Sequence, residues 1–207
     1  MVMPTLWQRF IDTLLPPADV SRTIRPETNS SFFSYYKPQH KNDILTLGRY
    51  QDEVMQAAIA ANKFHNDRHA TQLLAGLISH HLQTISDRPV QIVPIPLSTK
   101  RQAERGYNQV TLVLQYLLPY LAPGEVHIIN ALDRPVNTPP QTQLEREERL
   151  QNVTAAFKSN RRQRHLNYST PIWILDDVAT TGATLHAAQA AFPPHRQRHI
   201  QLIALAG

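Results

Sequence analysis

The run Pro171-Ile172-Trp173-Ile174-Leu175-Asp176-Asp177-Val178-Ala179-Thr180-Thr181-Gly182-Ala183-Thr184 holds the residue types and spacing best suited to chemistry. A short apolar stretch ends in two adjacent carboxylates. A turn of hydroxyl residues with one glycine follows, and a helical pattern runs from Leu185 to Phe192. That order predicts a strand, an anion-cradling loop and a helix N-terminus, where unpaired N–H groups and the helix dipole favour a phosphate. Gly182 lets the backbone approach an anion closely, and the hydroxyls of Thr180, Thr181 and Thr184 are donors for phosphate oxygens. Asp176 and Asp177, at the strand tip, suit the hydroxyls of a sugar or a hard cation. Two acids near a helix N-terminus are favoured there in any case; their combination with the loop outlines a ribose-phosphate site. Competing phosphate loops are excluded: no Lys follows Gly182 as a Walker loop requires, and the chain has no G-x-G-x-x-G trio.

A second constellation is Val93-Pro94-Ile95-Pro96-Leu97, followed by Lys100-Arg101 and Arg105-Gly106-Tyr107-Asn108-Gln109. A strand ends in rigid prolines, and cations follow before a helix opens. Such a loop suits a polyanion such as pyrophosphate, with Arg offering two-point contacts; the plainer reading is a basic loop in which Asn108 caps the next helix. A third group, Arg134, Thr138, Gln141, Arg149 and Asn152, spreads through a proline-rich connection of the kind that often forms lids. A stiff surface excursion is the equal alternative. His65 and His69 stand four apart, as on one helix face, but lack a third ligand for zinc. His80-His81 read as surface residues and Asn66-Asp67 as a turn. The basic runs Arg161-Arg162-Gln163-Arg164-His165 and His195-Arg196-Gln197-Arg198-His199 each precede a predicted strand and read as solvated loops.

The elements that must position these residues follow from hydrophobic period. Trp7 to Leu15 suggests a short helix, Ala18 to Ser31 a linker, Ser31 to Tyr36 a strand, Lys37 to Asp43 a loop and Ile44 to Leu47 a strand. Spacings of three and four on Val54, Met55, Ala58 and Ile59, and on Leu73, Leu74, Leu77, Ile78, Leu82 and Ile85, predict helices. Val90 to Ile95, Val126 to Ile129, Ile172 to Leu175 and Ile200 to Leu205 read as strands, and Tyr107 to Leu118 and Leu144 to Val153 as helices, the last with Glu145 and Arg149 spaced for an ion pair. Strands alternating with helices predict an α/β fold with a twisted, mostly parallel sheet flanked by helices.

The chain has 207 residues, a formal charge of +5 and no Cys. It can bury one sizeable core, with residues 1–43 as an N-terminal appendage and linker and 44–207 as the main domain. The positive balance suits phosphate-bearing small molecules or nucleic acid alike. Without Cys there are no disulfides or thiolate zinc sites, which fits the cytoplasm. No segment approaches a membrane span, and Arg9 and Asp12 interrupt what would be a signal peptide's apolar region.

The Asp-Asp-Val-Ala-Thr-Thr-Gly-Ala-Thr element resembles the phosphoribosyl-pyrophosphate (PRPP) motif of the type I phosphoribosyltransferases (PRTases). Val93 to Leu97 and Arg105 to Gln109 narrow the resemblance to the ComF/GntX branch. So do Arg134 with Thr138, Pro140-Gln141, Leu144, Arg149, Asn152-Val153 and Ala156-Phe157, and Lys63-Phe64 at that branch's Lys-Tyr position. The likeness covers about residues 44–205. It implies a PRTase-type fold with a small hood, and a phosphoribosyltransferase domain over 44–207. It also implies that Asp176 and Asp177 contact the ribose hydroxyls directly or through Mg²⁺, and that Val178 to Thr184 cradle the 5′-phosphate. Arg101 and Arg105 would lie by the pyrophosphate. Arg134 to Gln141 would form a loop closing over the reacting centre, with Arg134 in a catalytic role and Thr138, Gln141 and Arg149 toward the pyrophosphate. The family's usual four-cysteine zinc module is missing, and His65-Asn66-Asp67 replaces the usual Gly after the Lys-Tyr position.

The resemblance implies transfer of a phosphoribosyl group from Mg-PRPP to a nitrogen acceptor with release of pyrophosphate. The alternative is a non-catalytic PRPP- or nucleotide-binding module assisting DNA uptake or regulation, with single-stranded DNA or the competence machinery as partner.

Overall fold

The computed structural model describes residues 17–135 and 156–207. In chain order the elements are α1 (Pro17–Ile24), α2 (Asn29–Phe32), β1 (Gln39–Lys41), β2 (Ile44–Gly48), α3 (Glu53–His65) and α4 (Arg68–Thr84). Then come β3 (Val90–Pro94), α5 (Thr99–Arg105), α6 (Gln109–Leu117), β4 (Val126–Ile128), β5 (Leu132–Asp133) and β6 (Lys158–Ser159). The chain closes with β7 (Ile172–Val178), α7 (Ala183–Ala190), α8 (Pro194–Gln197) and β8 (Ile200–Ala206).

Six strands form one sheet in the order β1-β2-β8-β7-β3-β4, with only the β1–β2 pairing antiparallel. The expected α/β architecture with a mostly parallel sheet flanked by helices is therefore present. Strand β7 lies in the middle, paired with β3 on one side and β8 on the other. Its side chains alternate: Trp173 and Leu175 enter the core beneath α3, α4 and α6, while Ile172 and Ile174 enter a second core with Leu185, Ala188 and Phe192. Near-continuous apolar runs such as Ile172 to Leu175 are what a strand covered on both faces requires. Each fully buried Leu or Ile contributes roughly 1.5–3 kcal/mol relative to exposure, so packing on both faces, more than any single cap, fixes the height of the β7 tip.

Several expectations change at the N-terminal side. Ala18 to Ser31, expected as a linker, contains α1 and α2. Val20, Ile24 and Phe32 are buried in the same core as α3 and α4. A capping box between Thr28 and Ser31 starts α2, the Ser31 N–H reaching the Thr28 hydroxyl at 3.3 Å and the Thr28 N–H the Ser31 hydroxyl at 2.9 Å. Ser31 to Tyr36, expected as a strand, continues as a 3-10 turn, because Phe32 fills the core while its neighbours lie outside. The expected loop from Lys37 contains β1, whose exposed residues give no hydrophobic signal. Thr99 to Arg105, read as a basic loop, is α5, a helix with no buried residues and thus no apolar stripe to read. The helices expected at Trp7 to Leu15 and Leu144 to Val153 lie outside the described residues.

The histidine readings change too. His65 ends α3 and His69 lies in α4, so they do not share a helix face; His69 Nε2 lies 3.1 Å from the Ile24 carbonyl. The break is Asn66, in the left-handed conformation at φ 51°, followed by Asp67, which accepts from the Ala70 N–H at 2.9 Å and caps α4. Asn tolerates the left-handed conformation, so it does here what a glycine would do at that turn. His81, expected at the surface, is buried against Trp173, with Nδ1 2.8 Å from the Tyr36 hydroxyl.

Candidate functional site

The β7 tip carries Asp176 and Asp177 past the apolar run to the carboxyl edge of the sheet, where open parallel sheets place ligands. Both are buried, at 8% and 5% exposure. The pair lines a cleft of about 300 Å³ shared with Tyr50, Lys63, Leu97, Arg101, Thr180 and Thr184. The Asp177 N–H donates to Asp176 Oδ1, and the Val178 N–H to Asp177 Oδ1, each at 2.9 Å. Side-chain partners separate the two acids. Asp177 Oδ2 accepts from Gln109 Nε2 at 3.0 Å and sits 3.3 Å from Lys63 Nζ.

These partners split the proton affinities of the doublet. Burial, then repulsion from Asp177, pushes Asp176 up to about 8. Burial pushes Asp177 upward as well, but Lys63 and the hydrogen bonds from Asp176, Gln109 and Lys63 outweigh it and hold Asp177 below the ordinary carboxylate range. At neutral pH the doublet therefore holds one proton and one negative charge. Lys63 and Arg101 stand on the walls of the cleft beside the doublet, so it offers cations to an anionic ligand.

Gln109 lines the cleft beside Asp177, and the four residues before it set its position. Arg105 ends α5; Gly106, at φ 81°, turns the chain in the left-handed region and returns its N–H to Gln102. The Tyr107 hydroxyl donates to the Asn62 carbonyl at 2.7 Å and accepts from the Asn66 N–H at 3.0 Å, tying this turn to the end of α3. Asn108 caps α6 as the sequence suggests, accepting from Val110 and Thr111, and its Nδ2 donates to the Ile95 carbonyl at 2.8 Å. Gln109 then points at Asp177 while its Oε1 accepts from Arg105, whose guanidinium also lies 5.6 Å from the Phe64 ring centroid. Arg105 thus reaches the doublet through Gln109, whereas Arg101 lines the cleft itself.

The loop after β7 forms the other wall. Gly182 adopts φ 77° and precedes α7, and a Cβ there would lie 2.2 Å from Ile44 Cδ1. The glycine is therefore fixed by its left-handed backbone and by the packing of Ile44. Thr181 Oγ1 accepts from the Ala183 N–H at 3.4 Å. Among the described residues the N–H groups of Thr180, Thr181 and Gly182 take no partner, while the Ala179 N–H pairs with the Ala206 carbonyl. Val178 and Thr180 face the cleft. Ala179, Thr180, Thr181 and Gly182 also line a second hollow of about 140 Å³ beside Lys41 and Gln51.

Arg134 stands at the far side of Leu97, in a neighbouring hollow of about 560 Å³. Its guanidinium lies 4.9 Å from the Phe157 ring centroid, and its buried Nε has no hydrogen-bond partner among the described residues. It is close enough to feel the charges of Arg101 and Asp176. Thr138, Gln141, Arg149 and Asn152 lie outside the described residues.

No group of three or more His, Cys, Asp or Glu suited to a metal occurs among the described residues. A buried pair in which one acid is already ion-paired does not make a cage. It fits a Mg²⁺ that arrives on a substrate's own oxygens, the usual manner of Mg²⁺ at phosphate sites.

Sequence reasoning placed Gln109 in the second constellation and Lys63 in the family resemblance, but gave neither a role beside the acidic doublet. A signal existed for each: a polar residue on an otherwise apolar stripe, Lys63 one turn after Ile59 and Gln109 one turn before Val113. Tyr50, on the cleft wall after β2, gave none.

No helix among the described residues is long and apolar enough to cross a membrane. No protein-family model matches the chain. Over 152 residues it is 32% identical to Competence protein F of Haemophilus influenzae, an alignment covering 69% of this chain and 63% of that protein. Over 148 residues it is 29% identical to Competence protein ComFC of Bacillus subtilis, covering 66% and 52%. The chain therefore spans less than two thirds of the first and about half of the second. The chain is thus similar to two competence proteins over about two thirds of its own length.

Proposed function

We propose that the cleft at the β7 tip binds Mg-PRPP and that the protein transfers the phosphoribosyl group to a nitrogen acceptor with release of pyrophosphate. The observation that carries this reading is the shared cleft of Asp176, Asp177, Thr180 and Thr184, with Lys63 and Arg101 on its walls. The acidic pair is within reach of a ribose diol, the unpaired amides of Thr180 to Gly182 are donors for the 5′-phosphate, and the cations offset the pyrophosphate charge.

In the reaction the bond from ribose C1′ to the pyrophosphate oxygen breaks, and its electron pair leaves with pyrophosphate. The acceptor nitrogen bonds to C1′ and gives up its proton to solvent. When present, Mg²⁺ neutralises charge on the leaving group. The chain's own contribution is positioning and fixed charge: Asp177, held ionised by Lys63, orients the diol and stands near the ring as it gains positive charge. Arg101 holds the anion, and Arg134 approaches from the neighbouring hollow. The PRTase fold assignment and the ligand roles of Val178 to Thr184, Arg105, Thr138, Gln141 and Arg149 belong to the same proposal, as does a cytoplasmic location.

The test is release of pyrophosphate from Mg-PRPP by purified protein against a panel of nitrogen bases. Base-dependent release supports transfer; binding without release under every base leaves the transferase reading untenable. The names of the two relatives favour a second reading, a PRPP- or nucleotide-binding module that serves competence without turnover. That reading predicts binding without release.

A further inference from the structure

Strand order sets the order of groups across the cleft. The strands β2, β8, β7 and β3 are neighbours in that order and run parallel, so their carboxyl ends lie along one edge. The chain leaving β3 brings Leu97 and Arg101 to one flank of the cleft. The tip of β7 brings Asp176 and Asp177 to its middle, and the chain leaving β2 brings Tyr50 to the other flank. At about 4.8 Å per strand, the β2 and β3 tips stand about 14 Å apart. That span holds a pentose over β7 with one further group on each side.

Tyr50 is positioned through its backbone. Its N–H donates to the Gly207 carbonyl at 3.1 Å, and the Gly207 N–H donates to the Gly48 carbonyl at 3.2 Å, so the chain after β2 is laced to the end of β8. The residue is half-buried, resting in part on the core beneath while it lines the cleft. Among the described residues its hydroxyl takes no hydrogen bond and its ring meets no other ring.

Displacement at ribose C1′ needs the entering and leaving groups on opposite faces of the ring, because the incoming lone pair must align with the breaking bond. Pyrophosphate belongs on the flank that carries the Arg101 guanidinium. The acceptor then enters from the Tyr50 flank. Given a cleft that holds Mg-PRPP as proposed above, we infer that Tyr50 is the platform on which the acceptor stacks, and that the acceptor is a planar heteroaromatic base rather than ammonia or an aliphatic amine. A phenol ring offers such a base both apolar area and a π-face. An amine arrives as its ammonium, which must shed a proton before it attacks. Asp177 is already engaged by Lys63 and Gln109, and Lys63 and Arg101 oppose a further cation. In the step, an imine-type ring nitrogen bonds to C1′ with its lone pair. The C1′–O bond breaks with its electron pair on pyrophosphate, and the N–H proton of the base goes to solvent.

The test follows donor and acceptor separately in the full chain. Calorimetry gives the affinity for Mg-PRPP. Pyrophosphate release gives the acceptor KM for adenine, uracil and benzimidazole, beside ammonia and methylamine at matched free-base concentration. Release with at least one aromatic base and with neither amine is expected. Tyr50→Leu should raise the KM for that base about tenfold and leave Mg-PRPP affinity within about twofold of wild type, whereas Tyr50→Phe, which keeps the ring, should hold both within about threefold. Melting curves establish folding; should Tyr50→Leu fail to fold, the comparison of acceptors on wild type still decides. Release with either amine, or an unchanged acceptor KM in folded Tyr50→Leu, overturns this inference and leaves the donor site standing. Absence of Mg-PRPP binding sinks the reading of the cleft itself, and binding without release under any acceptor sinks the transfer; each takes the role of Tyr50 with it.

Discussion

Lys63 Nζ lies 3.3 Å from Asp177 Oδ2, joining the last turn of α3 to the tip of β7 across the cleft. Gln109 donates to the same oxygen from the first turn of α6, and Tyr107 binds α3 to the turn before α6. One carboxylate thereby holds three elements in register, and its neighbour Asp176 is left with the proton.

Removing Lys63 should expose how much this arrangement depends on it. Lys63→Met leaves Asp177 buried without its ion partner, and breaking such pairs costs up to about 3–5 kcal/mol. Lys63 is partly exposed, so a loss of about 1–3 kcal/mol at neutral pH is expected by denaturant unfolding. In the wild type Asp177 is depressed, so its contribution is present above the unfolded carboxylate range and lost as pH falls through its folded value. In the variant Asp177 should be raised, so the deficit against wild type should shrink as pH is lowered toward 5. A deficit independent of pH would point to packing alone.

Asp176 gives the opposite pH signature. Its folded value, about 8, lies above the unfolded one, so the folded state holds the extra proton between about pH 4 and 8. Stability from this group is full at the low end and declines as pH rises to about 8. Asp176→Asn removes the titration. Its stability relative to wild type should therefore climb with pH across this window, by up to about 1.4 kcal/mol per unit at the steepest. Parallel pH curves for the two proteins would contradict the split within the doublet.

Gly182→Ala should destabilise the protein by about 1–3 kcal/mol, because it adds left-handed strain to an overlap with Ile44. Ile44→Val removes Cδ1 and should recover part of that loss in a double-mutant cycle, leaving the backbone strain. A purely additive pair would show that the Ile44 contact is not what demands glycine.

His81 should govern the acid limb. Burial, with repulsion from His80 and His40, lowers its affinity for a proton. The unfolded chain therefore takes up a proton first as pH falls below about 6.5, and stability declines from there toward the folded value. His81→Gln should flatten that decline as measured by melting temperature between about pH 5 and 7. An unchanged limb would assign acid sensitivity to other groups.

What the sequence made legible was whatever is local in the chain. Asp176 through Thr184 are contiguous, so strand, loop and helix could be read together, and β7 and α7 fall where the pattern places them. Asn108 as a cap was readable for the same reason. Long-range partners were not: Lys63 meets Asp177 only once α3 packs beside the sheet, and His81 looked exposed until Trp173 covered it. Where burial does not pattern the residues, as in β1 and α5, periodicity had nothing to register. Helix α1 was missed because, among its described side chains, only Val20 and Ile24 are buried in the core.

The central claim is that the β7 tip and the loop after it hold an activated ribose phosphate. Titration calorimetry of Mg-PRPP into wild type and Asp177→Asn, with melting curves to establish folding, tests it most directly. The account predicts saturable binding to wild type and at least tenfold weaker binding to the folded variant, the scale of one lost charge-assisted hydrogen bond. No binding to wild type, or equal affinity in both proteins, would contradict it.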